Sequence, residues 1–184
     1  MFRFKIFVVL LGALLLTGCF DVPSIHPLFT EGDLMFEPAL VGIWTDKNGE
    51  LLVVRQSGQE KAYKVLHVSG KDLSAMGKYD VYLAQLGEFR FLDILPEENS
   101  EYIPSHYFAS LRLEKEQMRI AFLDSKWLRQ QIIEARAPAH TLLPRRDQKM
   151  VLTAPTRELQ QMIRKYAAEP KAYDKGGLEF RRMK

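Results

Sequence analysis

The sequence predicts a mainly β domain with two helices (α+β), folded as an antiparallel up-and-down β-barrel or a strongly curved sheet. Three observations carry this. Short strand-like segments recur at 43–46, 50–56, 62–68, 79–85, 88–95, 106–113, 117–123 and 178–183, and regular short strands with close turns point to a sandwich or barrel. Turn chemistry separates them: Asn48-Gly49 is a hairpin signal, and Ser57-Gly58 and Leu86-Gly87 punctuate the chain. Only two later stretches keep a helical period.

The elements follow in order. Residues 1–5 hold Arg3 and Lys5 and no acid, and the next thirteen, 6–18, hold ten apolar side chains. A charged region followed by an apolar run too short to span a bilayer predicts a signal peptide over 1–18. The run ends Leu15-Leu16-Thr17-Gly18-Cys19, and Cys19 is the only cysteine of the 184 residues. Leu-x-Gly-Cys resembles the lipobox of bacterial lipoproteins. That resemblance implies a diacylglyceryl thioether on Cys19, cleavage before it, and a further acyl chain such as palmitate on the new amine. Two or three acyl chains anchor stably, whereas one binds only marginally. Residues 19–26, with Pro23, are expected to form a short tether, and 27–184 a single β-rich domain. An Asp directly after the lipidated Cys resembles an inner-membrane retention signal. Phe20 stands there instead, which points to the periplasmic face of the outer membrane in a two-membrane bacterium.

Within the domain, Phe89/Phe91 and Met118/Ile120/Phe122 alternate with Glu88/Arg90 and Gln117/Arg119, the period of a half-buried strand. Lys115-Glu116 suits a tight hairpin between two such segments. Asp124 is placed to cap a helix over 125–135, with Trp127, Leu128, Ile132 and Ala135 inward. Thr153 and Pro155 open a second helix running to about residue 168. Its Leu159, Met162, Ile163 and Tyr166 form one apolar stripe. Pro170 stops it, and Gly176-Gly177 turns the chain into the last strand. The segment 135–149 is rich in Pro and Arg and gives no clear element.

Composition excludes several classes. A hydrophobic content of 47% is that of a folded chain. A lone cysteine excludes a disulfide framework and a cysteine zinc site. The net charge is +3, and loss of residues 1–18 removes Arg3 and Lys5, leaving no field suited to nucleic acid.

A search for chemistry returns little. The histidines His26, His67, His106 and His140 are far apart in sequence and make no metal-binding pair, so no metal site is expected. His67 and His106 lie in predicted strands, where the simplest reading is a surface or rim position. Glu97, Glu98 and Glu101 cluster in a polar loop and read as a solvated run. Asp33 is expected to cap a local turn, and Asp93 stands alone. Arg145-Arg146 and Arg181-Arg182 are basic doublets among interspersed acids. No nucleophile elbow, P-loop or dinucleotide fingerprint is present, so no enzyme and no cofactor beyond the covalent lipid is expected.

His26-Pro27-Leu28-Phe29-Thr30, Asp33, Phe36, Pro38, Leu40 and Gly42-Ile43-Trp44 together resemble a group of bacterial lipoproteins without assigned activity. Gly42-x-Trp44 also resembles the first-strand signature of lipocalins. That likeness implies an eight-stranded barrel whose closed end is plugged by Trp44, under Arg181 or Arg182 of the final strand. The barrel reading makes Tyr63, Phe89, Phe91, Phe108 and Phe122 candidates to line a pocket. The alternative is that these rings fill the core outright. Two functions follow. One is a structural or interaction lipoprotein of the cell envelope that docks an envelope protein. The other is a lipocalin-like binder of a small apolar or lipid-like molecule.

Overall fold

A computed structural model describes residues 22–59, 61–72, 76–97, 105–134, 136–143 and 149–184. In chain order its elements begin with a two-residue strand, β1 (Leu34–Met35), and then the wall strands β2 (Gly42–Thr45), β3 (Leu51–Gln56), β4 (Ala62–Val68), β5 (Met76–Leu86), β6 (Phe89–Pro96), β7 (Tyr107–Glu114) and β8 (Gln117–Phe122). Helix α1 (Ser125–Ile133), the hairpin strands β9 (His140–Leu143) and β10 (Lys149–Leu152), helix α2 (Thr156–Tyr166) and a last strand, β11 (Leu178–Arg182), complete it.

Strands β2 to β8 pair antiparallel with their sequence neighbours, and β11 pairs with both β8 and β2. The result is a closed eight-stranded antiparallel barrel, the form expected from the sequence. Each of the eight expected strand segments overlaps one wall strand. Closure leaves the wall strands with no long unpaired edge. The tight turns fall where expected, at Gly87 with φ +70° and at Lys115 with φ +46°.

Alternation along each strand makes two apolar cores. Inside the barrel lie Trp44, Val54, Tyr63, Val81, Leu83, Leu92, Leu111, Ile120 and Phe180. Outside it, a second core fills the space between the outer face of β6–β8 and the helices. Phe91 and Phe108 enter that core from the wall, Leu128 from α1, and Leu159 and Ile163 from α2. The sequence expectation for α1 holds at its start, where the Asp124 carboxylate accepts from the Trp127 N–H at 2.7 Å. It ends at Ile133, with Glu134 as its C-cap. Helix α2 buries Leu159, Met162 and Ile163 of the expected stripe. The stretch that gave no element in the sequence contains β9 and runs into β10, and the two form a short pair lying beside the N-terminal arm.

That arm is the main departure from expectation. Residues up to His26 were expected to be a free tether, but the chain is built into the body from Val22 onward. Val22 and Ser24 are buried. Ser24 exchanges both main-chain hydrogen bonds with His106, and Leu152 donates to the Pro23 carbonyl at 2.8 Å. The Thr156 hydroxyl donates to the Pro27 carbonyl, and the Gln160 amide to the Leu28 carbonyl at 2.9 Å. Prolines and small polar residues suited a linker by composition. Here their main-chain groups are taken up by the sheet and by α2 instead.

Candidate ligand cavity

One end of the barrel is closed. A single 3-10 turn, Pro38–Leu40, meets Trp44 and Arg182 there, its start held by the Glu37 carboxylate. The Trp44 indole is fully buried, and its N–H donates to the Leu40 carbonyl at 2.9 Å. The Arg182 guanidinium stacks over the Trp44 ring, with its central carbon 5.0 Å from the ring centroid. It donates to the carbonyls of Ala39 and Val41, so the cation is satisfied by three groups at once. Gly42 explains the glycine of the Gly-x-Trp element. Its φ is +151°, and a Cβ there would lie 3.0 Å from an Arg182 nitrogen. Arg182 thus takes the position over Trp44. Arg181 is its neighbour in the strand, paired with Thr45 and Gln117. With Arg112 and Arg119 it lines a polar groove of about 790 Å³ that shares Asp46, Asn48 and Met118 with the cavity described below.

Tyr63 lies beside the plug. Phe36 stacks on its ring at 5.2 Å, and its hydroxyl oxygen accepts from the Glu37 N–H at 2.6 Å. Burial pushes the Tyr63 hydroxyl pKa up.

Beyond the plug the interior is open. A cavity of about 750 Å³ runs through the barrel, within the usual range for small-molecule sites. Its wall is apolar, built from Val54, Val65, Val81, Ile94, Ile120 and Phe122. Its other end is polar, with Asp46, Asn48, Glu50, His67, Ser69 and Lys71 on the β2–β3 and β4–β5 sides. There Gly70 packs against the Asn48–Gly49 main chain so closely that a Cβ on it would overlap that backbone. The Asp46 carboxylate accepts from the Asn48 and Glu50 N–H groups, each at 2.8 Å, and so shapes its own turn. Glu50 is 7% exposed, and one of its oxygens lies 2.7 Å from His67 Nε2.

Of the five aromatics proposed for the pocket, Tyr63 and Phe122 line it. The other three do not. Phe91 and Phe108 belong to the outer core, and Phe89 packs against it. The reason is strand parity: Leu92 and Ile94 are the inward residues of β6, so Phe91 must face out. Sequence reasoning passed over Glu50, and read His67 only as a rim residue. The signal was present for His67, two and four residues beyond Val65 and Tyr63 on one face of β4.

The two strand histidines do not meet. His106 faces the outer core, where its Nδ1 lies 2.7 Å from an oxygen of the fully buried Asp93. The other Asp93 oxygen accepts from the Leu28 N–H at 2.7 Å. Burial raises the Asp93 pKa, against the lowering effect of His106 and of that N–H. This pair holds the N-terminal arm and sits on the opposite face of the wall from Leu92 and Ile94 of the cavity lining. Asp33 caps its turn as expected, accepting from the Thr30 N–H and hydroxyl. Glu97 forms an exposed ion pair with Lys64 at 2.8 Å. Cys19, Glu98, Glu101, Arg145 and Arg146 lie outside the described residues. Among the described residues no group of three or more His, Cys, Asp or Glu is placed to hold a metal ion. Among them, too, no helix is long and apolar enough to cross a membrane.

No protein-family model, no curated protein and no solved structure matches this chain.

Proposed function

We propose that the protein is a lipid-anchored lipoprotein of the cell envelope that holds a small apolar molecule in its barrel and performs no catalysis. The observation that carries this is the cavity of about 750 Å³ above the Trp44 plug. A docking protein needs no hollow interior, whereas the open apolar wall here costs dispersion contacts that a filled core would make. A bound tail would restore them. Trp44 and Arg182 close the far end, so the ligand enters past Glu50 and His67 and stops at the Tyr63 level. The anchor in this reading is the acyl-modified Cys19, facing the periplasm from the outer membrane of a two-membrane bacterium. Nucleic acid is not a partner.

Both halves are testable. Residues 22–184 contain both cores and the arm contacts, so a chain of residues 20–184 made without the leader keeps the barrel. It is expected to bind the dye 1-N-phenylnaphthylamine with a rise in fluorescence. Val65→Trp, which puts an indole into the cavity, is expected to abolish that rise with the melting curve retained. Equal binding by the variant would place the dye elsewhere and end the carrier reading. For the anchor, cells fed ω-alkynyl palmitate are expected to label the full chain and not its Cys19→Ser variant. Labelling of both would refute lipidation at Cys19.

A further inference from the structure

The polar end of the cavity selects the head group of the ligand, and we infer that it takes an amphiphile whose head donates hydrogen bonds and carries no negative charge. This rests on the carrier reading above and adds to it the chemical class of ligand.

The inference starts from Glu50. It is one of the few carboxylates among the described residues that is buried, at 7% exposure, and it lines the cavity. A buried carboxylate needs compensation. His67 compensates one oxygen at 2.7 Å. The other oxygen has only the Ser69 hydroxyl at 3.5 Å, the limit of a hydrogen bond. It therefore retains accepting capacity toward the cavity. Glu50 thus offers an acceptor to a head group that arrives beside it.

The surrounding charges agree. Asp46 lies at the same end and adds a second negative charge. Its oxygens are already engaged by Asn48 and Glu50 N–H groups. Lys71 is the cation of the cavity lining, and the adjoining groove adds Lys47, Arg112, Arg119 and Arg181; all five are exposed to solvent, where screening weakens them. A carboxylate or phosphate head would be set against Glu50 and Asp46 in a partly desolvated space, which is costly. A hydroxyl or an ammonium would instead satisfy the free Glu50 oxygen. The tail would lie along Val54, Val65, Val81 and Ile94 toward Tyr63.

The test is competition against 1-N-phenylnaphthylamine bound to residues 20–184. Three probes share one tail length: 1-monopalmitoylglycerol, hexadecylamine and palmitate. The glycerol ester, the amine or both are expected to displace the dye at concentrations about tenfold lower than palmitate. Which of them is tighter tells a hydroxyl source from an ammonium source. Glu50→Gln is expected to close the gap between palmitate and the others, each read as a ratio to the dye affinity of that variant. Should that variant fail to fold, the wild-type ratio alone decides. Palmitate displacing as well as or better than both others would overturn the inference, with the carrier reading intact. Failure of the dye itself to bind would instead end the carrier reading.

Discussion

The wall formed by β6, β7 and β8 is buried on both faces, and the two faces are finished differently. Outward, Phe91 and Phe108 meet α1, α2, the arm and β10 in a packed layer where Leu28, Leu128, Leu152 and Leu159 have no solvent exposure. Inward, Leu92, Ile94 and Ile120 border open space. Apolar side chains therefore do two jobs on one strand. Outside they fill, and their contacts hold the fold together. Inside they leave a vacancy next to a plug. Only the closed end, where Trp44 sits under Arg182, is packed like the outer layer.

Three substitutions probe that contrast. Trp44→Ala is expected to cost about 4 kcal/mol, as for a large buried ring, and to lower the melting temperature accordingly. A small change would mean that the plug is not packed like the outer core. Next, Leu159→Ala in the outer layer should cost about 3 kcal/mol, because a new hole opens. Leu52→Ala on the cavity lining should cost only about 1 kcal/mol, since the space beside it is already open. Equal losses in denaturant titrations would erase the distinction between the faces.

The arm that completes the outer layer gives a pH test. Burial raises the Asp33 pKa, but hydrogen bonds from Thr30 and Gln160 and the Arg164 charge outweigh it, so the net direction is downward from 3.8. A depressed carboxyl stabilises the fold fully above its unfolded pKa and loses that contribution as pH falls through the lower folded value. Asp33→Asn is thus expected to cost about 1 kcal/mol at neutral pH. The gap to wild type should narrow below pH 3.8, where the unfolded carboxyl protonates. A gap that stays constant into strong acid would show that ionisation is irrelevant there. The smallest effect is a gain. The buried Tyr173 hydroxyl in the outer layer has no hydrogen-bond partner among the described residues. Tyr173→Phe should stabilise by up to about 1 kcal/mol, read as a raised melting temperature.

How much of this was legible depends on which face is asked about. Strand positions and turns came through because Asn48-Gly49, Leu86-Gly87 and the period-two runs are local signals. Gly42 and Trp44 sit close in sequence, whereas the choice between Arg181 and Arg182 stayed open there and follows from the pairing of Arg182 with Trp44. The pocket was only half legible. Two-sided burial removes the polar half of the alternation, so β6, with Phe91, Leu92 and Ile94 all buried, gives no cue to which parity faces in. Phe91 and Phe108 were assigned inward because large rings suit a pocket, yet large rings serve the solid layer. Glu50 and His67 were hidden for another reason. They stand 17 residues apart and meet only through the β3–β4 pairing, in which Leu52 faces His67. The arm was misread because composition reports flexibility, whereas the hydrogen bonds to His106, Leu152 and Gln160 come from distant parts of the chain.

That arm also governs how the barrel would sit if Cys19 carries lipid. Three residue steps separate Cys19 from the wedged Val22, at most about 10 Å of main chain. So short a connection would keep Val22 within that distance of the acylated residue. The flank that carries Val22 would then lie nearest the bilayer on every copy, which would make lipidation an orienting device as well as a mooring.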